Sequence, residues 1–333
     1  MQVGLLFAHR NPPQFAVPWE RLYAETLEQV QYAEELGFDA AFVSEHHFGE
    51  DGYSPALLPI LASWATCTTR IKLGTYVALL PLQNPLRFAE DAATVDIISG
   101  GRLILGLGVG YRVEELRSFD VPRSSLGGRM DEALEVLVRS WQEDEFSFSG
   151  KHFRYPEVAL SPRPLQRPRP PIWVGSPGAP GVRRAARWGL EGFAGSPSAR
   201  NYERYLAKCD EFGTEPVAQA QTLLFGHLNA DHEEAWLEAE PHATHLHRLY
   251  NEWAVTAGND ATFRHSPRED LVIGDAAHWR QRAASAMSGS PLRPEYLIAQ
   301  LQLPGMPHEV VMRSMELFAK ELLPDFQGAA AAD

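Results

Sequence analysis

The stretch Ile71–Gly110, IKLGTYVALLPLQNPLRFAEDAATVDIISGGRLILGLGVG, decides the fold class. It begins and ends with short apolar runs that are typical of buried strands, and Pro85 opens a helix between them that continues to about Ser99. Two strands joined by a helix form a βαβ unit, in which the strands lie parallel and the helix covers the sheet. The stretch therefore predicts a parallel sheet with helices outside it.

The same alternation continues on both sides of this unit. Toward the N-terminus lie a strand VGLLF, a helix over residues 19–37, a strand DAAFVS, and a helix over residues 55–68 that Pro55 opens behind an N-capping Ser54. Toward the C-terminus, four further segments are typical of strands: PIWVGS, LEGFAG, AQTLLFGHL and EYLIAQLQL. A last helix, over about residues 307–323, carries one apolar stripe.

Eight strands without an evident linker favour a single closed (β/α)8 barrel, a TIM barrel, over two domains. We expect the barrel to occupy residues 1–325 and residues 326–333 to form a flexible tail. The sequence also predicts a hairpin insertion near residues 145–156 and a mobile, lid-like loop near residues 255–270. The proline-rich residues 161–172 are compatible with a linker, but an extended excursion toward the fifth strand fits the alternation better.

Composition and charge limit the possible functions. The chain has 333 residues, a formal net charge of −13 and two cysteines, Cys67 and Cys209, without metal-ligand spacing. The negative charge disfavours nucleic-acid binding, because phosphate contacts need clustered lysine and arginine. No apolar run approaches the roughly 20 residues that span a bilayer, and the N-terminus has no signal-peptide pattern. We therefore expect a cytoplasmic protein that binds neither nucleic acid nor membranes.

Three polar residues follow the second predicted strand, in FVSEHHFGEDGYSP at Phe42–Pro55. Glu45, His46 and His47 would lie at the carboxyl end of a barrel strand, where side chains face the active-site mouth. Imidazole titrates near neutral pH and suits proton transfer. We favour a catalytic role for His46, a packing role for His47 and an orienting role for Glu45. The alternative for His46 is a hydrogen-bonded packing residue.

Glycines end the fourth predicted strand in LGLGVG, Leu105–Gly110. Their spacing differs from the dinucleotide-binding fingerprint GxGxxG. Small residues such as Gly108 would let a flat ligand lie against the backbone, and tight packing inside the barrel is the alternative.

A possible phosphate site lies in WVGSPGAPG, which ends one strand and opens a helix. Gly175, Ser176 and Gly178 would offer backbone amides to an anion at the helix N-terminus. Arg129, near the start of another helix, would add a guanidinium, although a surface ion pair is its alternative role.

The histidine-rich HATHLHR, His242–Arg248, is the main candidate for a metal site. His242 and His245 would share a helix face, but His247 would not, and no acidic third ligand is evident. We therefore expect a solvated helix face and no metal site. The chain has no GxSxG, HExxH or Walker A motif, which leaves hydrolase and kinase functions without support.

Several of these stretches together resemble one family, the bacterial-luciferase-like flavin monooxygenases, which share a barrel with coenzyme F420-dependent reductases. The matching stretches are GFDAAFVSEHHF, the segment from Gly74 to Tyr111, PIWVGS followed by RRAARWG, and MELFAKELLP. They follow the order of the family from residue 2 to about residue 325.

The resemblance implies a cofactor and roles for individual residues. Reduced FMN would lie across the barrel mouth, above a non-proline cis peptide at Tyr76–Val77. His46 corresponds to a histidine that handles protons around a flavin hydroperoxide formed with O2, and Arg129 and Ser176 correspond to phosphate-binding positions.

The chain also departs from the family. Gly108 and Val109 replace a cysteine and an arginine of luciferase, so the resemblance does not imply light emission. The loss of a phosphate-binding arginine indicates a loose hold on FMN, which suits supply of the flavin by a separate reductase.

Three functions are compatible with the resemblance. The first is a monooxygenase that uses reduced FMN and O2 on a small organic substrate. The second is an F420-dependent oxidoreductase that transfers hydride, in which Arg183, Arg184 and Arg187 would line a channel for the acidic tail of F420. The third is a non-catalytic flavin-binding partner subunit.

The resemblance also implies a homodimer packed through the helices over residues 55–68 and 85–99. Five aromatic residues are candidates for an apolar substrate pocket, with a place in the core as the alternative: Trp19, Phe48, Tyr53, Tyr111 and Trp253.

Overall fold

The computed structural model describes residues 1–175 and 178–328. These residues form eleven strands: β1 Gln2–Phe7, β2 Ala40–Val43, β3 Lys72–Leu79, β4 Leu103–Gly108, β5 Phe146–Ser149, β6 Arg154–Val158, β7 Ile172–Val174, β8 Gly192–Phe193, β9 Gln219–Leu228, β10 Val272–Gly274 and β11 Pro294–Gln300. They also form twelve α-helices: α1 Trp19–Leu36, α2 Leu57–Cys67, α3 Pro85–Ile98, α4 Val113–Ser118, α5 Leu126–Gln142, α6 Ala179–Trp188, α7 Ala199–Phe212, α8 His232–Thr256, α9 Pro267–Asp270, α10 Ala276–Ser288, α11 His308–Glu321 and α12 Leu323–Gly328.

Eight of the strands close a parallel barrel. Their order around it is β1, β2, β3, β4, β7, β8, β9 and β11, and β11 pairs with β1 to complete the circle. The aromatic residues Phe42, Tyr76, Trp173 and Tyr296 fill the interior, with ring centroids 5.3–6.5 Å apart. The predicted (β/α)8 TIM barrel is confirmed, and its packed interior leaves the ends of the strands as the place for a site.

Local sequence signals explain where the first helices begin and end. Helix α1 ends at Leu36 and is capped by Gly37, which adopts φ +95° in the left-handed region that favours glycine. Helix α3 begins at Pro85, behind Asn84, whose side chain accepts hydrogen bonds from two backbone N–H groups of the first turn. The observed bounds of α1 and of α3 therefore agree with the predicted ones to within one residue.

Helix α2 begins later than the sequence predicts. It starts at Leu57, and Ser54 does not cap it. The Ser54 hydroxyl instead lies 3.0 Å from Nδ1 of His9, in the loop after β1. The predicted N-cap is therefore wrong, because a buried histidine uses the hydroxyl.

The segment between β9 and β11 contains elements that the sequence analysis missed. Helix α8 continues to Thr256, and α9 begins with a capping box formed by Ser266 and Glu269. The irregular segment is therefore residues 257–266, shorter than the predicted 255–270, and its mobility stays a prediction. Strand β10 is only three residues long and pairs with β9 outside the closed barrel.

A two-stranded hairpin lies between α5 and β7. Strands β5 and β6 pair antiparallel where the sequence places a hairpin, and Phe146 and Phe148 pack against Val136 of α5. None of the helices in the described ranges has the length and apolar surface that a bilayer crossing requires.

His9 makes the stability of the barrel depend on pH. The side chain is almost fully buried against Tyr23 and Trp64, and within the described chain its Nε2 has no partner. Burial lowers the pKa of His9 from 6.5 to about 4. The unfolded chain therefore takes up this proton first as the pH falls, so His9 costs no stability above pH 6.5 and destabilises the fold progressively between pH 6.5 and 4.

We expect His9→Asn to remove this pH dependence. Between pH 7 and 4.5, the His9 contribution to the free energy of unfolding falls by about 2.5 kcal/mol in the wild type. Asparagine tolerates the backbone at this position, where φ is +46°. Urea unfolding at the two pH values measures the difference, and His152→Asn in the hairpin loop is the control that should keep the wild-type slope. Equal slopes for wild type and His9→Asn would contradict the prediction.

Candidate functional site

A cavity of about 350 Å³ opens at the carboxyl ends of the barrel strands. Its walls are mainly apolar and aromatic, with a few polar groups. Eight of the residues with a predicted place in the site or the substrate pocket line it: Glu45, His46, Tyr53, Tyr76, Val77, Gly108, Tyr111 and Gly175. A concave apolar site with few polar groups at this face of a barrel is the usual form of a TIM-barrel active site.

His46 lies in the cavity wall among four aromatic rings. The ring centroids of Tyr53, Tyr111, Tyr250 and Trp253 lie 4.8–6.4 Å from the centroid of its imidazole. Its Nδ1 lies 2.9 Å from a carboxylate oxygen on α4, so Nε2 is the nitrogen left for the cavity. Two of the predicted pocket aromatics, Tyr53 and Tyr111, thus contribute to the site.

Glu115 supplies that carboxylate, and sequence reasoning missed it. The side chain is fully buried, and its Oε1 also accepts a hydrogen bond from the His47 N–H at 2.9 Å. Arg112 Nη1 lies 3.4 Å from the same oxygen. Burial favours a higher pKa for Glu115, but the hydrogen bonds from His46 and His47 and the charges of His46 and Arg112 outweigh it and lower the pKa. The carboxylate therefore stays ionised beside the imidazole.

Glu45 orients His47 and not His46. Its Oε1 lies 2.8 Å from His47 Nε2, and its Oε2 accepts a hydrogen bond of 2.8 Å from the Leu79 N–H. The expected orienting role is therefore wrong for His46. His47 is buried against Phe119 with its Nε2 engaged, as expected for a packing residue.

The end of β3 is irregular beneath the cavity. The Tyr76–Val77 peptide is cis, at the position that the resemblance implies, and the register between β3 and β4 shifts in this region. A Cβ at Gly106 would lie 2.3 Å from Thr75 O, and one at Gly108 would lie 2.5 Å from Val77 Cγ2. Close packing therefore requires both glycines, and Gly108 also forms part of the cavity wall.

We expect Gly108→Ala to lower the free energy of unfolding by about 2 kcal/mol, because the new methyl group overlaps Val77. Val77→Ala in the same chain should recover part of this loss, because it removes the atom that the methyl group meets. Chemical denaturation of the two single variants and the double variant measures the coupling. Strictly additive losses would show that the contact with Val77 is not the cause.

Of the predicted phosphate residues that the structure describes, Gly175 lines the cavity, whereas Arg129 and Gly178 do not. Arg129 donates from Nε to Pro81 O at 2.7 Å, and its guanidinium lies over the Phe153 ring at 4.8 Å. Gly178 is the N-cap residue of α6. Ser176 lies outside the described residues.

The three arginines considered for an F420 tail are paired with acidic residues of α5. Arg183 and Arg184 lie 2.9 Å and 2.6 Å from the carboxylate of Asp131, and Arg187 lies 3.2 Å from Glu135. These pairs leave less free positive charge on α6 than an open basic channel would need.

Two of the three clustered histidines of α8 are buried, which overturns the predicted solvated face. His242 Nδ1 lies 2.8 Å from Pro304 O, and His245 Nε2 lies 3.2 Å from Asp51 Oδ2. Within residues 1–175 and 178–328, no group of three or more potential ligands could hold a metal ion. The helix packs these imidazoles against the loops after β2 and β11.

The remaining predicted pocket residues divide by exposure. Trp253 lies behind the wall, with its ring centroid 4.0 Å from the guanidinium carbon of Arg112. Trp19 and Phe48 are 48% and 61% exposed and do not line the cavity.

Comparisons with known proteins agree with this architecture. A family model described as luciferase-like monooxygenase matches residues 1–322. The chain is 33% identical over 171 residues to the oxygenase component of the flavin-dependent trigonelline monooxygenase of Acinetobacter baylyi, an alignment that covers 51% of this chain and 47% of the relative. It is 32% identical over 170 residues to an F420-dependent glucose-6-phosphate dehydrogenase of Kineococcus radiotolerans, covering 48% and 49%.

These alignments span about half the length of each relative. The crystal structure of the monooxygenase RslO1 from Streptomyces bottropensis matches over 98% of this chain and 100% of that chain, with 25% identity and a TM-score of 0.82. Because the family model covers nearly the whole sequence, the chain belongs to the luciferase-like monooxygenase family of enzymes.

Proposed function

We propose that this enzyme is the oxygenase component of a two-component monooxygenase, which uses reduced FMN and O2 to oxidise a small organic substrate. The observation that carries the proposal is the pair of His46 and Glu115 in the wall of an apolar cavity at the strand ends. The name of the Acinetobacter relative, an oxygenase component, supports a separate flavin reductase as partner.

The residues around the cavity fit a flavin. Val77, Gly108 and Gly175 form a wall of small side chains, against which a flat ring system can pack. Arg129 and the α6 N-terminus at Gly178 would hold the phosphate, since among the described residues the terminal nitrogens of Arg129 have no hydrogen-bond partner. When bound, reduced FMN would supply the electrons with which O2 is activated.

His46 would move protons at the cavity. The Glu115 carboxylate accepts the hydrogen of Nδ1, which fixes the imidazole in the tautomer whose Nε2 lone pair faces the cavity. The ionised carboxylate also stabilises the imidazolium that forms when Nε2 takes up a proton. His46 would thus accept and return a proton at Nε2 while its ring stays in place.

Other residues would exclude water from this proton transfer. The rings of Tyr53, Tyr111 and Tyr250 surround the imidazole. Asn259, in the irregular segment, also lines the cavity, and Arg123 from the loop before α5 donates to its side chain and to the backbone oxygen of Ala257. This contact would hold the segment over the opening as a lid.

A cofactor-binding experiment tests the proposal against F420. Under anaerobic conditions, we expect the protein to bind reduced FMN at least tenfold more tightly than reduced F420, because the α6 arginines are paired with α5. With FMN, NADH and an unrelated flavin reductase in air, a screen of small organic compounds should yield a product with one added oxygen atom. Tighter binding of F420, with hydride transfer and no oxygen insertion, would replace the proposal with the alternative.

The proposed assembly is a homodimer through α2 and α3. We infer this arrangement from the family resemblance, and sedimentation of the purified enzyme measures it. Substitutions of residues exposed on these two helices, such as Thr66→Arg and Thr94→Arg, should dissociate the dimer if the helices form the interface.

A further inference from the structure

Three hydroxyl groups form a continuous hydrogen-bonded chain along one wall of the cavity. Ser44 Oγ lies 3.0 Å from the Tyr53 hydroxyl, which lies 2.7 Å from the Tyr250 hydroxyl. All three side chains line the cavity. This chain of hydroxyl groups runs from the end of β2 to α8. The proton transfer proposed for His46 does not use it.

The three linked hydroxyl groups leave one hydrogen-bond donor free for a ligand. Three hydroxyls carry three protons, and two of these protons occupy the two hydrogen bonds within the chain. One proton therefore remains to be donated at one end, and the other end accepts. Burial raises the pKa of Tyr53 and of Tyr250, so the chain keeps all three protons at neutral pH.

Arg10 lies behind the two tyrosine rings and makes them better donors. Its guanidinium carbon lies 5.3 Å from the ring centroid of Tyr53 and 5.4 Å from that of Tyr250, and its Nε pairs with Asp51 at 2.6 Å. A cation over the face of a phenol ring draws electron density from it and strengthens the O–H as a donor.

The charges in the wall favour an uncharged ligand. Among the described residues that line the cavity there is no lysine or arginine, whereas the carboxylate of Glu45 lies there. An anionic substrate group would therefore lose its hydration without gaining a counter-ion. The wall also contains Leu223 and Phe225, which suit an apolar body, and the Phe225 ring centroid lies 5.8 Å from that of Tyr250.

We propose that Tyr250 determines substrate specificity by donating the remaining hydrogen of the chain to an uncharged acceptor atom of the substrate. The substrate class is a compact, mainly apolar molecule with one neutral hydrogen-bond acceptor. The end at Tyr250 faces the substrate, because the opposite end at Ser44 lies beside the strand ends proposed to hold the flavin. The inference rests on the proposed function for that placement of the flavin.

Three probes of similar shape test this role: acetophenone, isopropylbenzene and benzoate. Calorimetry measures their binding to the protein saturated with oxidised FMN, in the wild type, in Tyr250→Phe and in Tyr202→Phe, a control on α7 outside the cavity. We expect Tyr250→Phe to lower the affinity for acetophenone about fivefold, the effect of one lost hydrogen bond. The affinity for isopropylbenzene should change less than twofold. Benzoate should bind the wild type at least tenfold more weakly than acetophenone.

The outcomes distinguish a failure of the specificity role of Tyr250 from a failure of the proposed function. Equal losses for acetophenone and isopropylbenzene in Tyr250→Phe, preferential binding of benzoate, or no binding of acetophenone to the wild type would each overturn the specificity role. FMN affinity is titrated first in every variant and reports on the proposed function alone. The role is supported if Tyr250→Phe loses affinity for acetophenone but not for isopropylbenzene, because a general disturbance of the wall would affect both probes. Tyr202→Phe should keep the wild-type affinity for acetophenone.

Discussion

We expect His46→Ala to lower the turnover number about 100-fold or more, while the dissociation constant for reduced FMN stays within threefold of wild type. The imidazole lies in the cavity wall with Nδ1 bound to Glu115, so its loss removes a positioned proton acceptor and donor from the site. The strand ends proposed to hold the flavin do not depend on this side chain. The measurement is steady-state oxidation of the screened substrate with an unrelated reductase, together with an anaerobic FMN titration.

A matched substitution separates proton handling from a general loss of packing. His278→Ala on α10 also removes a partly buried imidazole, but one that does not line the cavity, and it should keep wild-type turnover. Wild-type turnover in His46→Ala would remove this residue from the mechanism. Absence of turnover in both the wild type and His46→Ala, with FMN binding retained, would favour a non-catalytic, flavin-binding role.

Much of the barrel could be predicted because its signals are local. Each signal acts within a few residues: the apolar runs and the helix pattern of Ile71–Gly110, Pro85 at the start of α3, and Gly37 after α1. The features that were missed depend on distant partners. Ser54 has the composition of an N-cap, yet its hydroxyl bonds to His9, 45 residues earlier in the chain.

The same distinction applies to the site. The position of His46 at a strand end could be predicted from the pattern of an apolar strand followed by polar residues. Its partner could not, because Glu115 lies 69 residues away and only the closing of the barrel brings α4 to the end of β2. Sequence reasoning expected the adjacent Glu45 to orient both histidines, but its carboxylate contacts His47 and the backbone of Leu79 and not His46.

The partnership of Glu115 with His46 and Arg112 leads to the second large expected effect. We expect Glu115→Gln to lower the free energy of unfolding by about 3 kcal/mol, because it leaves the buried guanidinium of Arg112 without its counter-charge. Turnover should fall at least tenfold, since a neutral amide can still accept from Nδ1 but stabilises the imidazolium less than a carboxylate does. Urea unfolding and steady-state kinetics measure the two effects separately.

Two further variants assign these losses to the buried charge. Glu114→Gln makes the same change on the exposed side of α4 and should change both quantities little. Arg112→Met, added to Glu115→Gln, should recover at least about 1 kcal/mol of stability, because it removes the uncompensated cation, but it should not restore turnover. Recovery of turnover in this double variant would contradict a direct role for the carboxylate, since it would show that the stray charge of Arg112 alone had impaired His46.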